Sequence, residues 1–221
     1  MKALISVYDK TGVVALARVL QTAGYELLST GGTHELLSKE GLDVQQVSEF
    51  TGSPEMLDGR VKTLHPVVHG GLLARRDLPE HMAQLDKYGM DTIDVVVVNL
   101  YPFETTVSRE GIPDQEVLEN IDIGGPTMLR AAAKNHPAVT VVVDPADYAW
   151  VTESFERGGT SAEERHTLAA TAFAHVSFYD SIIASWLRGP ENTFPKEMTV
   201  GVRRVAQLRY GENPHQQAAL Y

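Results

Sequence analysis

Asp94 is followed by four consecutive valines, Val95 to Val98, and then by Asn99. A β-branched run without alternation has no face to give to water. It predicts a strand buried on both sides, as in the middle of a parallel sheet. Val139 to Val143 make a second run of this kind, and Ala3-Leu4-Ile5-Ser6-Val7 reads as the opening strand. Between these runs the spacing is helical. Val13, Val14, Leu16, Ala17, Val19 and Leu20 predict a helix from Thr11 that stops at Gly24. Tyr25 to Ser29 is a second strand, and Gly31-Gly32 turns the chain into a helix from Thr33 to Lys39 that Gly41 ends. Residues 44–48 are a third strand, interrupted by Gln45 and Gln46. Strands alternating with helices predict an α/β fold with a mostly parallel sheet.

Residues 51–71, rich in Gly and Pro with interspersed charges, read as a long loop, and such loops are usually functional. Gly125-Pro126 opens a helix running to Lys134. Asp144-Pro145 caps another, to about Phe155. Ser161 with Glu164 is a capping box that launches a long helix to about Leu187, closed by Gly189-Pro190. Residues 191–200 read as a linker. Residues 201–221 resume an ordered pattern without partner elements, as though opening a further unit, and are expected to be partly mobile.

Composition narrows the chemistry. The 221 residues include no cysteine, which excludes disulfides, thiolate catalysis and zinc–sulfur sites. A net charge of −10 argues against broad binding to nucleic acid, which needs clustered cations, but leaves room for a few well-placed ones. No apolar run approaches the roughly 20 residues of a membrane span. The opening strand is too short for a signal peptide, so a cytosolic protein is expected. His65 and His69 stand at i,i+4, but Pro66 lies between them and no third ligand stands out, so no metal is expected.

Five segments lie where strands give way to helices, the usual ligand end of an open α/β sheet. In Ser6-Val7-Tyr8-Asp9-Lys10-Thr11-Gly12, Lys10 could meet an anion that also faces helix N-terminal amides; it reads equally as an exposed cation beside a cap. Thr30-Gly31-Gly32-Thr33 offers converging backbone amides and two hydroxyls, without the spacing of a Walker loop or a dinucleotide fingerprint. Arg60-Val61-Lys62-Thr63 places alternate cations on one side of an extended stretch. Asn99-Leu100-Tyr101-Pro102-Phe103 and Ile121-Asp122-Ile123-Gly124-Gly125-Pro126 supply an amide, a phenol and helix N-terminal amides, donors suited to developing oxygen charge. Asp122 could also be a simple cap, and Lys134 a cation favoured by the helix dipole.

Taken together and in order, residues 6–12, 30–33, 60–66, 99–103, 121–125 and 130–136 resemble IMP cyclohydrolase, the N-terminal half of a bifunctional purine-biosynthesis family whose other half is AICAR transformylase. The resemblance covers residues 1–190. Leu208-Arg209-Tyr210-Gly211-Glu212-Asn213-Pro214-His215-Gln216 looks like the opening of the transformylase half, so residues 191–221 read as linker plus the first residues of that domain. The family implies a methylglyoxal-synthase-like three-layer α/β/α sandwich with C-terminal helices. The reaction it implies is dehydrative closure of 5-formamidoimidazole-4-carboxamide ribotide to inosine monophosphate, in the cytosol and by a homodimer. The carboxamide nitrogen attacks the formyl carbon within one molecule, so no cofactor or metal is implied; 10-formyltetrahydrofolate would serve only the transformylase half.

By resemblance the phosphate is held near Lys10, by Thr30, Gly31, Gly32 and Thr33, and by Lys62 and Thr63 with Arg60 close by, while Ser6, Tyr8, Asp9 and Val61 are further substrate-binding candidates. The base lies among Val98, Asn99, Tyr101, Asp122 and Ile123. Lys134 matches the family's proton donor and acceptor. Lys62 and Tyr101 are candidates to polarise the formyl oxygen with help from Gly124 and Gly125. Asp122 accepts the carboxamide proton or holds the amide in register. The family often has a small hydroxyl residue where this chain has Tyr8.

Three alternatives share the fold: methylglyoxal synthase, an effector-binding module like that of carbamoyl phosphate synthetases, and an assembly unit. The last would use the long helix's stripe of Phe173, Phe178, Tyr179, Ile182, Ile183 and Trp186, whose commoner fate is core.

Overall fold

The valine run forms β4 (Val95–Asn99), and every residue of it is buried. In the computed structural model, which describes residues 1–221, it joins β1 (Lys2–Val7), β2 (Glu26–Ser29), β3 (Val44–Gln46) and β5 (Thr140–Val142). The order is β3-β2-β1-β4-β5 and all four pairings are parallel. A strand with no polar alternation is thus placed where helices cover both faces. The sheet and its covering helices form the mostly parallel α/β architecture that the sequence pattern predicts.

Helices fill the connections. α1 (Val13–Thr22) and α2 (Gly31–Lys39) link the first three strands. α3 (Val47–Thr51), α4 (Pro66–Leu73) and α5 (Pro79–Tyr88) lie between β3 and β4. α6 (Phe103–Val107), α7 (Asp114–Glu119) and α8 (Gly124–Lys134) lie between β4 and β5. A single 3₁₀ turn, capped by Asp144 through a 2.9 Å bond from the Ala146 N–H, leads into α9 (Tyr148–Glu156). α10 (Ala162–Arg188) follows, opened by the expected capping box: Ser161 Oγ accepts from the Glu164 N–H, and the Glu164 carboxylate accepts from the Ser161 N–H. Gly189, at φ 64°, closes it.

Three expectations need correcting. The stretch 51–71 is not loop throughout: Pro66 opens α4, and the His65 ring accepts from the Val67 N–H at 3.2 Å, so the last third of the stretch is helical. The third strand ends at Gln46, and residues 47–48 turn into α3. Residues 201–221 are not without a partner. β6 (Ala206–Leu208) and β7 (Ala218–Leu220) pair antiparallel with one another. Arg203 ties this hairpin to the body by an ion pair to Glu104 (2.9 Å) and by lying 4.2 Å over the Phe178 ring.

The α10 stripe is chiefly core. Tyr179 is buried, and Ile182, Ile183 and Trp186 pack against the core, while Phe173 is exposed. Phe103 meets both Tyr179 and Trp186 edge-on. No helix is long and apolar enough to cross a membrane.

What positions a site is the sheet order. From β1 the chain moves outward to β2 and β3, and β4 and β5 lie on β1's other side. The carboxyl ends of β1 and β4 are neighbours, with Val7 opposite Asn99. Such a switch point opens a crevice into which both following loops project.

Candidate active site

That crevice is a cavity of about 770 Å³. Ser6, Tyr8 and Lys10 reach it from the end of β1, and Thr30 to Thr33 from the β2–α2 turn. Arg60, Lys62 and Thr63 reach it from the loop before α4, Val98, Asn99 and Tyr101 from the end of β4, and Asp122 to Gly125 from the start of α8. Segments up to 119 residues apart in sequence therefore share one space.

One end of the cavity is suited to an anion. Gly31 holds φ 48°, which a side chain rarely adopts, and a Cβ on it would lie 3.9 Å from Lys62 Nζ. A Cβ on Gly32 would lie 3.9 Å from Lys10 Nζ, so two ammonium groups flank the turn. Thr33 does not offer its hydroxyl to the cavity: Oγ1 accepts from the Val7 N–H (3.1 Å) and donates to the Val7 carbonyl (3.0 Å), fastening the turn to β1. Ser6 Oγ and Thr30 Oγ1 lie 3.3 Å apart across the same seam. Arg60 is paired with Glu119 of α7.

The other end carries the groups for proton and oxyanion work. Asp122 Oδ1 accepts from the Gly125 N–H at 2.8 Å. Burial pushes the Asp122 carboxyl above the usual range, against the opposing pull of the Gly125 amide and the Lys62 ammonium. The Tyr101 phenol is also pushed up, first by burial and then by Asp122 and Tyr8, so it stays a protonated donor at neutral pH. Tyr8 braces it edge-on, with ring centroids 5.5 Å apart. Close approach requires both glycines at the helix start: a Cβ on Gly124 would stand 2.6 Å from Thr63 Oγ1, and one on Gly125 would stand 2.5 Å from Asp122 Oδ2.

Sequence reasoning missed several contributors. Tyr179 of α10, legible only as part of an apolar stripe, accepts from the Asp122 N–H at 2.8 Å and donates to the Asn120 carbonyl at 3.3 Å, pinning the approach to α8. Burial pushes its hydroxyl up to about 12, so it remains a hydroxyl throughout the neutral range. Glu55, Asp58, Gln115 and Glu119 also line the cavity. Leu57 and Asp58 hold positive φ of 55° and 54°, an unusual backbone that the Asp58-Gly59 pair hints at in sequence.

Three expected residues lie elsewhere. Asp9 faces away, its Oδ1 accepting from the Thr11 N–H at 2.9 Å, and Val61 pairs with Met56 instead of lining the cavity. Lys134 is the larger correction. It closes α8, about 15 Å along the axis from Gly124 at 1.5 Å per residue. There it lines a second cavity of about 610 Å³ with His69, Arg130, His136, His166 and Phe173. Within one chain it does not join Asp122 and Tyr101.

Residues 12–127 match the MGS-like domain family, and residues 132–221 match the AICARFT/IMPCHase bienzyme family. The chain is 55% identical over 224 residues to the bifunctional purine biosynthesis protein PurH of Persephonella marina. It is 57% identical over 224 residues to that of Deinococcus deserti. Both alignments take in the whole chain but 43% of the relative, so the chain spans less than half the length of these proteins. Among solved structures, the crystal structure of ForH superposes with a TM-score of 0.75 at 36% identity, covering 83% of this chain and 95% of that one.

Proposed function

We propose that the chain, a member of the MGS-like family whose residues 132–221 match the AICARFT/IMPCHase bienzyme family, is an IMP cyclohydrolase, closing 5-formamidoimidazole-4-carboxamide ribotide to inosine monophosphate with loss of water. The observation that carries the proposal is the gathering of Lys62, Tyr101 and Asp122 in one cavity beside the Gly31-Gly32 turn.

The 5′-phosphate lies at the glycine turn, between the Lys10 and Lys62 ammonium groups, with Thr63 and the turn's amides as donors. The base then extends toward Tyr101, Asp122 and Ile123. Folding the substrate so that its carboxamide nitrogen faces the formyl carbon supplies much of the rate, because the attack is intramolecular. As the C–N bond forms, negative charge grows on the formyl oxygen. The Tyr101 hydroxyl, the Lys62 ammonium and the N-terminal amides of α8 are placed to stabilise it. Asp122 takes the proton lost by the attacking nitrogen, and its raised affinity for protons suits a base that must return one as water leaves.

Lys134, which the family resemblance offers as proton donor and acceptor, can take part only from a second copy of the chain. The homodimer expected of the family would bring the end of one α8 to the neighbour's cavity. We further take residues 1–190 as the cyclohydrolase domain in the cytosol, and residues 191–221 as linker and the opening of a transformylase unit.

The test is an absorbance assay of the chain with the formylated carboxamide ribotide. Turnover to inosine monophosphate without added folate is expected, lost in Lys62→Ala. Tight binding of inosine monophosphate without turnover would instead favour a binding module.

A further inference from the structure

Asn99 ends β4 at the mouth of the cavity, where a carboxamide could be taken for a ligand to the base. Its hydrogen bonds argue otherwise. Oδ1 accepts from the Tyr8 N–H at 2.7 Å and from the Asp9 N–H at 2.9 Å, and Nδ2 donates to the Asp9 carbonyl at 2.9 Å. A carboxamide oxygen has two lone pairs, and both are used. The residue is buried, with 9% of its surface exposed. Tyr148 of α9 packs its ring against Gly12 and sets its buried hydroxyl beside Asn99, without a hydrogen bond of ordinary geometry.

The clipped segment matters at both ends of the cavity. Tyr8 braces Tyr101 edge-on, and Lys10, one residue beyond the clip, brings its ammonium to Gly32. β1 ends at Val7, so the sheet ladder no longer holds these residues. The carboxamide takes over from the ladder, supplying for Tyr8 and Asp9 the partners that a further strand residue would have supplied.

We propose that Asn99 is a positioning residue, whose carboxamide clips the Tyr8-Asp9 backbone to the end of β4 so that Lys10 faces the glycine turn and Tyr8 supports Tyr101. Its catalytic consequence rests on the cyclohydrolase reading; the clip itself does not.

Hydrogen exchange on the ligand-free chain tests the clip without any substrate. In Asn99→Ala the Tyr8 and Asp9 amides should exchange about ten- to a hundredfold faster, the loss of one to two hydrogen bonds' protection. Leu4 and Ile5 in the sheet should be unchanged. Asn99→Asp, which keeps the accepting oxygen but sets a second oxygen against the Asp9 carbonyl where Nδ2 donated, should restore only part of the protection. Unchanged exchange at Tyr8 and Asp9 would overturn the proposal. If the alanine variant does not fold, scalar couplings across the two N–H···Oδ1 bonds are read in the unaltered chain. They should persist with inosine monophosphate at saturation, and their loss on binding would mean that Asn99 turns to the ligand. The functional arm is a double-mutant cycle on binding of inosine monophosphate. Asn99→Ala should weaken it tenfold or so alone, and much less in a Lys10→Ala background. Equal losses in both backgrounds would show that Asn99 does not act through Lys10 and overturn that part of the positioning role. Failure of the unaltered chain to bind inosine monophosphate would count against the cyclohydrolase reading, and the exchange experiment would still decide on the clip.

Discussion

The two ends of α8 open onto cavities of opposite character. At its start, cations and carboxylates are mixed: Lys10, Arg60 and Lys62 face Glu55, Asp58, Glu119 and Asp122. At its end, Arg130 and Lys134 stand with three histidines and no carboxylate. The first arrangement can both hold an anion and move a proton, because its groups oppose one another. The second, with two cations and no carboxylate among its lining residues, presents positive charge. In a chain of net charge −10, this separation shows that local placement, not the sum, sets what each surface can do. It also frames the reading of Lys134 as a group that serves another molecule's cavity.

The largest effect is expected from removing one cation at each end of α8. Lys62→Ala and Lys134→Ala should each lower kcat/KM by a hundredfold or more, the usual scale for losing an oxyanion donor or a proton-transfer group. Co-expressed and mixed, the two inactive chains should regain roughly a quarter of the unaltered activity. Half of randomly paired dimers are mixed, and each holds one cavity with both lysines. If both lysines had to come from one chain, mixing would restore nothing.

A smaller effect is expected from the start of α8. A methyl on Gly125 would meet Asp122 Oδ2 at 2.5 Å and Leu100 Cδ2 at 2.6 Å, so both side-chain ends would have to shift. Gly125→Ala should cost about 1–3 kcal/mol in stability, read by denaturant unfolding. It should also lower kcat more than it raises KM, since the displaced group is the base and not the phosphate site. A variant with unchanged kcat would show that Asp122 needs no fixed place.

The contrast between the two cavities was only half legible in the sequence. Strands were plain wherever β-branched residues ran together, and Asp144, Ser161 and Gly189 marked helix ends by local chemistry that works in any context. The pairing of β1 with β4, which creates the crevice, joins residues some 90 positions apart and leaves no local trace. α4 was hidden by the Gly and Pro residues around it, although Pro66 is an ordinary first-turn residue. Lys134 is separated from the cavity because the helix that the sequence predicts from Gly125 to Lys134 carries it about 15 Å away, a distance that motif order alone does not express. Asn99 looked like a ligand because its type and place suit one, and only its filled hydrogen bonds indicate otherwise.

The electrostatic side of the comparison can be sharpened by titration. Burial raises Asp122, and Lys62 counters that shift. In Lys62→Met the carboxyl should therefore titrate at still higher pH, followed by its carbon-13 shift. The linkage has a definite sign. With the folded pKa above the unfolded one, Asp122 favours the fold at pH below the unfolded value, and that contribution is lost as pH rises through the folded value. Asp122→Asn should thus be inactive yet no less stable at neutral pH. A fall in its Tm there would mean that the carboxylate holds the start of α8 together and is not a strained base.

The smallest effect belongs to the tail, no residue of which lines either cavity. Arg203 lies 4.2 Å over the Phe178 ring and pairs with Glu104, joining the β6–β7 hairpin to α6 and α10. Both side chains of the ion pair are about half exposed or more, at 65% and 49%, so water screens most of their attraction. The stacking contributes no more than about 1 kcal/mol at such a site. Arg203→Ala should leave cyclohydrolase turnover and global unfolding nearly unchanged, while hydrogen exchange at Val205 and Gly211 speeds up several-fold. If activity fell instead, the hairpin would be part of what shapes the first cavity, and the tail would have to be counted with the active end of the molecule.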